Sequence, residues 1–382
     1  MPAFFPFKAR FPQNFSEAFL EQITQVQAPL NPLTGNDPQM LESINIQALS
    51  VLNSMLSNGS WSLPSTSPIL VGYQCEFRGY TQRGVVGLCD ASQVGKEILP
   101  HENIRQERAL RIEEWQKTMQ CQWTPVYLSY RHDSTLSHAL HKAWSKANPS
   151  PYVMRDGSRI SLWPISDSQS IQELLLAVRQ LPSLYIADGH HRAGACQNTV
   201  SSSGFYPMLS VLVSDRDLRV YPFYRRILND QSPLPFWDII DQLKLLFRLK
   251  PCSLDQMFYQ YLPAGHFLLV HRDACWLLQP HHAVDHTITD VQWLQDHVLG
   301  PVCGITDPSS DPRLDFGSMN IPLESFKAIV QQAKTEFILV PRAPSPEEVF
   351  RTADRGENMP PKSTSFEPKI PSGLVGYFGP DR

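Results

Sequence analysis

Apolar positions along the chain switch repeatedly between a helical and an alternating period. Between 41 and 56, Ile44, Ile46, Leu49, Leu52 and Leu56 recur at helical spacing, and turn-rich stretches, PLNPLTGNDP and NGSWSLPSTSP, bound them. Two β-branched and aromatic runs, 69–78 and 82–89, are separated by Gly79, Tyr80 and Thr81 and predict a hairpin. An amphipathic helix is expected over 102–119, with Ile104, Ala109 or Arg108, Ile112, Trp115 and Met119 near one face. PVYLSY at 125–130 predicts a short strand, and LSHALHKAWSKA a further helix. After a strand at 158–164, Asp167 is placed to cap a helix whose stripe is Ile171, Leu174, Leu175 and Val178, and Pro182 ends it. Leu184, Tyr185 and Ile186 form a brief buried strand that runs straight into Asp188-Gly189-His190-His191-Arg192. The small residues AGACQNTV then predict a helix, and MLSVLVS and LRVYPF two more strands.

Near 232 the composition resets at SPLP, and FWDIIDQLKLLFRL opens a second block as a helix. A hairpin, HFLLVH and CWLLQ, turns at Arg272 and Asp273, with helices near 290–299 and 322–334 and a strand EFILV after it. Ser345, Pro346 and Glu348 stand at the cap, first and third positions of a capping box, and Gly356 stops that helix. The last stretch, MPPKSTSFEPKIPSGLVGYFGP, is extended and proline-rich. No solenoid-like repeat is visible. Irregular alternation with hairpins predicts an α/β protein of mixed α+β type. Three segments are expected: a core over 1–231, an α+β domain over 232–345, and a helix and tail over 346–382 that pack back on the core.

Composition narrows the class. The 382 residues are 42% hydrophobic and only 18% charged, below the roughly 25% usual in soluble domains, so a folded core is expected. The 33 prolines predict many fixed turns. A net charge of −4 offers no basic field for nucleic acid or an anionic membrane. No window approaches the ~18 apolar residues of a membrane span, and Pro2, Pro6 and the late Lys8 do not suit a secretory signal. Seven cysteines without C-x-x-C spacing read as buried thiols in a reducing cytoplasm, not as a disulfide framework or zinc site.

Four groups of residues carry candidate chemistry. Asp188 to Arg192 lie between a strand and a small-residue helix, with Gly189 to turn the backbone, two imidazoles, and a guanidinium matched to phosphate. They form either a phosphate cradle or a polar turn with packed histidines. Adjacent histidines rarely chelate one metal without distant partners. His101-Glu102, expected at a helix mouth, supplies either a general base or a first-turn carboxylate favoured by the helix dipole. Lys362, Ser363 and Thr364, with Lys369, could clamp an anion. The apolar Met359, Phe366, Ile370, Leu374 and Val375 argue that this tail is docked rather than solvated. His281, His282, Asp285 and His286 read as a surface loop.

Five ordered strings, GVVGLCDASQVGKEILPHENI, RDGSRISLWPISD, LYIADGHHRAGAC, LVSDRDLRVYPFYRRI and MPPKSTSFEPKIPSGLV, resemble domain-of-unknown-function family 1015. Through it the chain resembles, more remotely, the ParB/sulfiredoxin superfamily and the free serine kinases. The resemblance implies a ParB/sulfiredoxin-like nucleotide-binding core over 1–231. It implies a phosphotransferase acting on a small hydroxyl metabolite, with Glu102 as the base. Asp188, Gly189, His190, His191 and Arg192, joined by Lys362, Ser363 and Thr364, would bind the nucleotide. It further implies ADP or ATP as donor, with magnesium carried mostly on the nucleotide. The alternatives are a non-catalytic nucleotide-binding regulator of ParB type and a degenerate homologue. The acceptor and the oligomeric state stay open. Two strings depart from the family: Gln27-Ala28-Pro29-Leu30-Asn31-Pro32 stands for A-P-P-Y-D, and Pro222-Phe223-Tyr224-Arg225 for P-T-H-R.

Overall fold

The computed structural model describes residues 1–31, 38–154, 156–199, 204–229, 235–282 and 287–379. The protein is mixed α+β and divides into two compact units. One unit is Met1–Leu218 with Pro368–Arg382, and the other is Arg219–Glu367.

The first unit is built on a mixed sheet, nine-stranded among the described residues. From one edge its strands run Ile98–Leu99, Leu184–Asp188, Val126–Tyr130, Pro207–Ser214, Tyr80–Asp90, Leu70–Phe77, Arg159–Ile165 and Ser150–Val153, and Phe4–Phe5 pairs with Tyr80–Asp90. The expected hairpin forms through a tighter turn than the sequence suggested. Arg78 (φ 48°) and Gly79 (φ 75°) are both left-handed, the conformation a two-residue loop needs to match strand twist. Asp167 caps its helix by accepting a bond from the Ser170 amide. Two pairings are parallel: Pro207–Ser214 with Val126–Tyr130, and Leu184–Asp188 with Ile98–Leu99, in the register Leu184 to Ile98 and Tyr185 to Leu99. Segments that leave the sheet after Leu99 and after Asp188 therefore emerge at the same edge.

Leu128, Leu136, Leu174, Leu184 and Leu212 belong to the core of this sheet. A second cluster joins helices Glu17–Val26 and Pro38–Ser57 to Trp61, Trp115, Trp123 and Phe378. Strand Gly376–Phe378 reaches it by pairing with Ala9–Arg10 and Cys121–Gln122.

The second unit holds a six-stranded sheet in the order Phe247–Pro251, Ala274–Pro280, Phe267–His271, Thr335–Pro341, Phe223–Leu228 and Leu314–Ser318. Several expectations need correction here. FRL, expected at the end of a helix, is strand: the helix stops at Leu246 and Phe247–Pro251 pairs with Ala274–Pro280. The expected reset near 232 lies outside the described residues, as do Asp285 and His286 of the histidine-rich loop. The division between units falls at Leu218/Arg219, ahead of the expected 231. The reason is that Arg219–Tyr221 pairs with Ser365–Glu367, and Phe223–Leu228 with Leu314–Ser318 and Thr335–Pro341. Hydrogen-bonded ladders outweigh the change in composition. For the same reason the tail is shared, with Met359 and Phe366 buried in the second unit and Ile370, Leu374 and Val375 in the first.

Candidate active site

The site is assembled in the first unit at the edge where the two parallel strands end. Strand Leu184–Asp188 gives way to Gly189, and a helix, His190–Cys196, begins inside the motif itself, earlier than the small-residue run suggested. Gly189 has φ 97°, and a Cβ there would sit 2.7 Å from Arg192 Nη2, so the guanidinium folds over a position that only glycine leaves open. With seven residues, this helix adds little dipole, and negative charge bound here would rest on side chains.

Arg192 Nη2 donates to Asp188 Oδ2 at 2.8 Å and to the Pro125 carbonyl at 3.3 Å. The other carboxylate oxygen, Asp188 Oδ1, accepts from Lys369 Nζ at 2.8 Å. Burial alone would raise the Asp188 carboxyl, but Arg192 and Lys369 overcome it and hold it well below the usual carboxylate range. One carboxylate thus organises two cations.

The neighbouring parallel strand delivers Glu102. The expected helix at 102–119 begins at Gln106, so Glu102 is not in a first turn but in the loop between Leu99 and that helix, and Ile104, expected on the buried face, is 40% exposed. The dipole account of this glutamate does not apply. Its Oε2 lies 3.7 Å from His190 Nδ1. Both histidines of the motif hold the loop: His190 Nε2 accepts from the His101 amide at 3.4 Å, and His191 Nε2 accepts from the Arg105 amide at 3.0 Å. An accepting Nε2 puts the His190 proton on Nδ1, the nitrogen that faces Glu102. The His101 ring stands edge-on to that of His190, centroids 4.6 Å apart. Burial pushes the His101 imidazole down to about 4, and burial with His101 alongside carries His190 well below its ordinary value. At neutral pH both rings are uncharged, so the cationic part of the turn is Arg192 with Lys369.

The expected anion clamp in the tail falls in the second unit. Lys362, in a left-handed conformation at φ 56°, lies over the Phe223 ring at 5.6 Å. Ser363 is buried and donates to the Pro360 carbonyl at 2.6 Å, and Thr364 is half-buried beside it. Lys369 is the tail lysine that shares a unit with the turn.

Beside Arg192 a cavity of about 440 Å³ opens within the first unit. Its walls include Gln27, Ala28, Leu30 and Asn31, from the string that departs from the family. Arg108 and Arg111 of the Gln106–Met119 helix also line it, as do Trp123, Thr124 and Ser372. Neither Arg108 nor Arg111 stands among the candidate binding residues of the sequence, where Arg108 enters only as an alternative on the helix face. The available signal was their spacing beside Ile112 and Trp115, which turns both arginines toward the edge of the buried stripe. Among the described residues no group of three or more His, Cys, Asp or Glu converges as a metal site, and no helix is long and apolar enough to cross a membrane.

The family model described as "Protein of unknown function (DUF1015)" matches residues 35–295. The chain belongs to this family. Compared with curated proteins by sequence, it finds no match. Among solved structures it is similar to a free serine kinase in complex with AMP, at 15% identity, 74% of this chain, 88% of that chain and a TM-score of 0.39. It is also similar to a conserved hypothetical protein from Pyrococcus furiosus, at 17% identity, 72% and 90% coverage and a TM-score of 0.35. A third is SbnI with C-terminal truncation from Staphylococcus aureus, at 11% identity, 76% and 85% coverage and a TM-score of 0.38.

Proposed function

We propose that the protein is a nucleotide-dependent phosphotransferase acting on a small hydroxyl metabolite, with ADP or ATP as donor. The observation that carries the reading is the approach of Glu102 to His190 at 3.7 Å, on loops held together by two histidine-to-amide bonds. A carboxylate that is 35% exposed, beside a neutral imidazole and a turn bearing two cations, suits proton removal next to phosphate. In the step, the acceptor hydroxyl gives its proton to Glu102 and its oxygen bonds to the terminal phosphorus. The bond to the bridging oxygen breaks, and its electron pair leaves on the nucleotide, which departs as AMP from ADP or as ADP from ATP. Arg192 and Lys369 offset the phosphate charge. Magnesium, if carried on the nucleotide, would supply further charge neutralisation at the phosphates. His190 and His191 orient the Glu102 loop by accepting the His101 and Arg105 amides.

The test is a thermal-shift panel of nucleotides, followed by 31P NMR of the purified protein with magnesium nucleotide and pooled hydroxyl metabolites. A new phosphomonoester resonance, lost by ~10²–10⁴ in rate in Glu102→Gln while nucleotide affinity is kept, is the expected result. No stabilisation by any nucleotide, or turnover unchanged in that variant, would overturn the proposal.

A further inference from the structure

The cavity beside Arg192 is a binding site with a charge of its own. Three guanidiniums line it, Arg108, Arg111 and Arg192, and among the described lining residues there is no carboxylate. Among the described residues, Glu107 and Asp188 pair with these arginines from outside the lining. Glu107 is 72% exposed, 4.0 Å from Arg111, and Asp188 is already shared between Arg192 and Lys369. Among the described lining residues the only charged side chains are these three guanidiniums. Arg111 is held in place by its bond to the Asn31 carbonyl at 3.3 Å and its side chain is only 15% exposed, so its charge is partly desolvated and positioned. Arg192 Nε is buried without a hydrogen-bond partner, which leaves a donor of the shared guanidinium unspent. Ile112 and Leu30 supply apolar wall.

We infer that this cavity takes a small organic anion that carries no ammonium group, a hydroxylated carboxylic acid in preference to an amino acid. Arginine forks match carboxylate geometry in bidentate fashion, whereas an ammonium placed here would meet three like charges and no carboxylate among the described lining residues. The size is that of a small-molecule pocket, at the low end of the ~300–1,000 Å³ range. Within the proposed phosphotransferase reading, on which this assignment of role rests, the anion is the acceptor, and Arg192 borders both it and the nucleotide phosphates. The departure at residues 27–31 then shapes acceptor choice, because Gln27 and Asn31 stand in its wall.

The experiment is isothermal titration of the full chain with glycerate, L-serine and glycerol, which share a three-carbon skeleton and differ in charge. Malate with aspartate gives a second such pair, and ADP with magnesium is titrated separately. Glycerate or malate should bind at least tenfold more tightly than the amino acid or the polyol. The Arg108→Gln/Arg111→Gln double variant should lose that binding at least tenfold while its ADP affinity stays within about twofold and its circular dichroism is unchanged. Amino acids binding as well as the acids, no acid binding to the wild type, or a double variant that loses ADP and keeps the acid would each overturn the inference. If the acid binds and no nucleotide does, the cavity assignment stands and the phosphotransferase reading fails. If nucleotide binds and no acid does, the reverse holds.

Discussion

Replacing His101 with phenylalanine should change how the stability of the first unit depends on pH. The imidazole is 1% exposed, and burial brings its pKa down to about 4, against smaller opposing effects from the Ile186 carbonyl and Asp188. In the unfolded chain the ring returns to its ordinary 6.5. Between pH 6.5 and 4 the unfolded chain therefore takes up a proton that the native protein refuses, so stability falls as pH falls through that window. Above pH 6.5 both states are neutral and the effect vanishes. Linkage gives a loss of about 2 kcal/mol at pH 5 and about 3 kcal/mol at pH 4 for this one group. The His101→Phe protein keeps ring shape and lacks the titration. Its stability relative to the wild type should rise by those amounts as pH drops from 7, whatever the fixed cost at pH 7. His190 is present in both proteins and cancels to first order in the difference. Urea denaturation followed by tryptophan fluorescence at pH 7, 6, 5 and 4 reads the difference directly, since Trp61, Trp115 and Trp123 sit in the core of this unit. A difference that is flat with pH would show that His101 titrates alike folded and unfolded, and the desolvation argument would be wrong.

The other expectations concern the turn. Gly189→Ala must hold a side chain at φ 97° and displace Arg192, and should cost about 1–2 kcal/mol in denaturant melts while weakening nucleotide binding. On the proposed function, Arg192→Ala should remove a charge-assisted phosphate contact of about 1.5–3 kcal/mol, so nucleotide Kd should rise about 10- to 100-fold in titration calorimetry. His191→Ala deletes the acceptor of the Arg105 amide, and hydrogen exchange at that amide should quicken with a stability loss of about 0.5–1.5 kcal/mol.

Local chemistry made much of this protein legible from its residues. The hairpin, the Asp167 cap and the Ser345–Glu348 capping box depend on side chains and backbone within a few positions of one another; both caps formed at the expected residues, and the hairpin formed with its turn at Arg78-Gly79 instead of Gly79–Thr81. The Asp188–Arg192 turn stood out for the same reason, because glycine at a left-handed position between strand and helix is a local necessity. What lay beyond the sequence was everything decided by pairing at long range. Glu102 meets His190 because Ile98–Leu99 runs parallel beside Leu184–Asp188, and parallel neighbours shed their following loops at one edge. Composition marked a boundary near 232, but ladders between residues 219–228 and strands more than eighty positions away drew it at Leu218. Lys369 rather than Lys362 shares a unit with the turn because the tail divides at Glu367/Pro368. The cavity of arginines was hidden for the same reason: Gln27, Arg111 and Arg192 carry no periodic relation to one another along the chain, and only the folding of three separate segments brings them to one cavity.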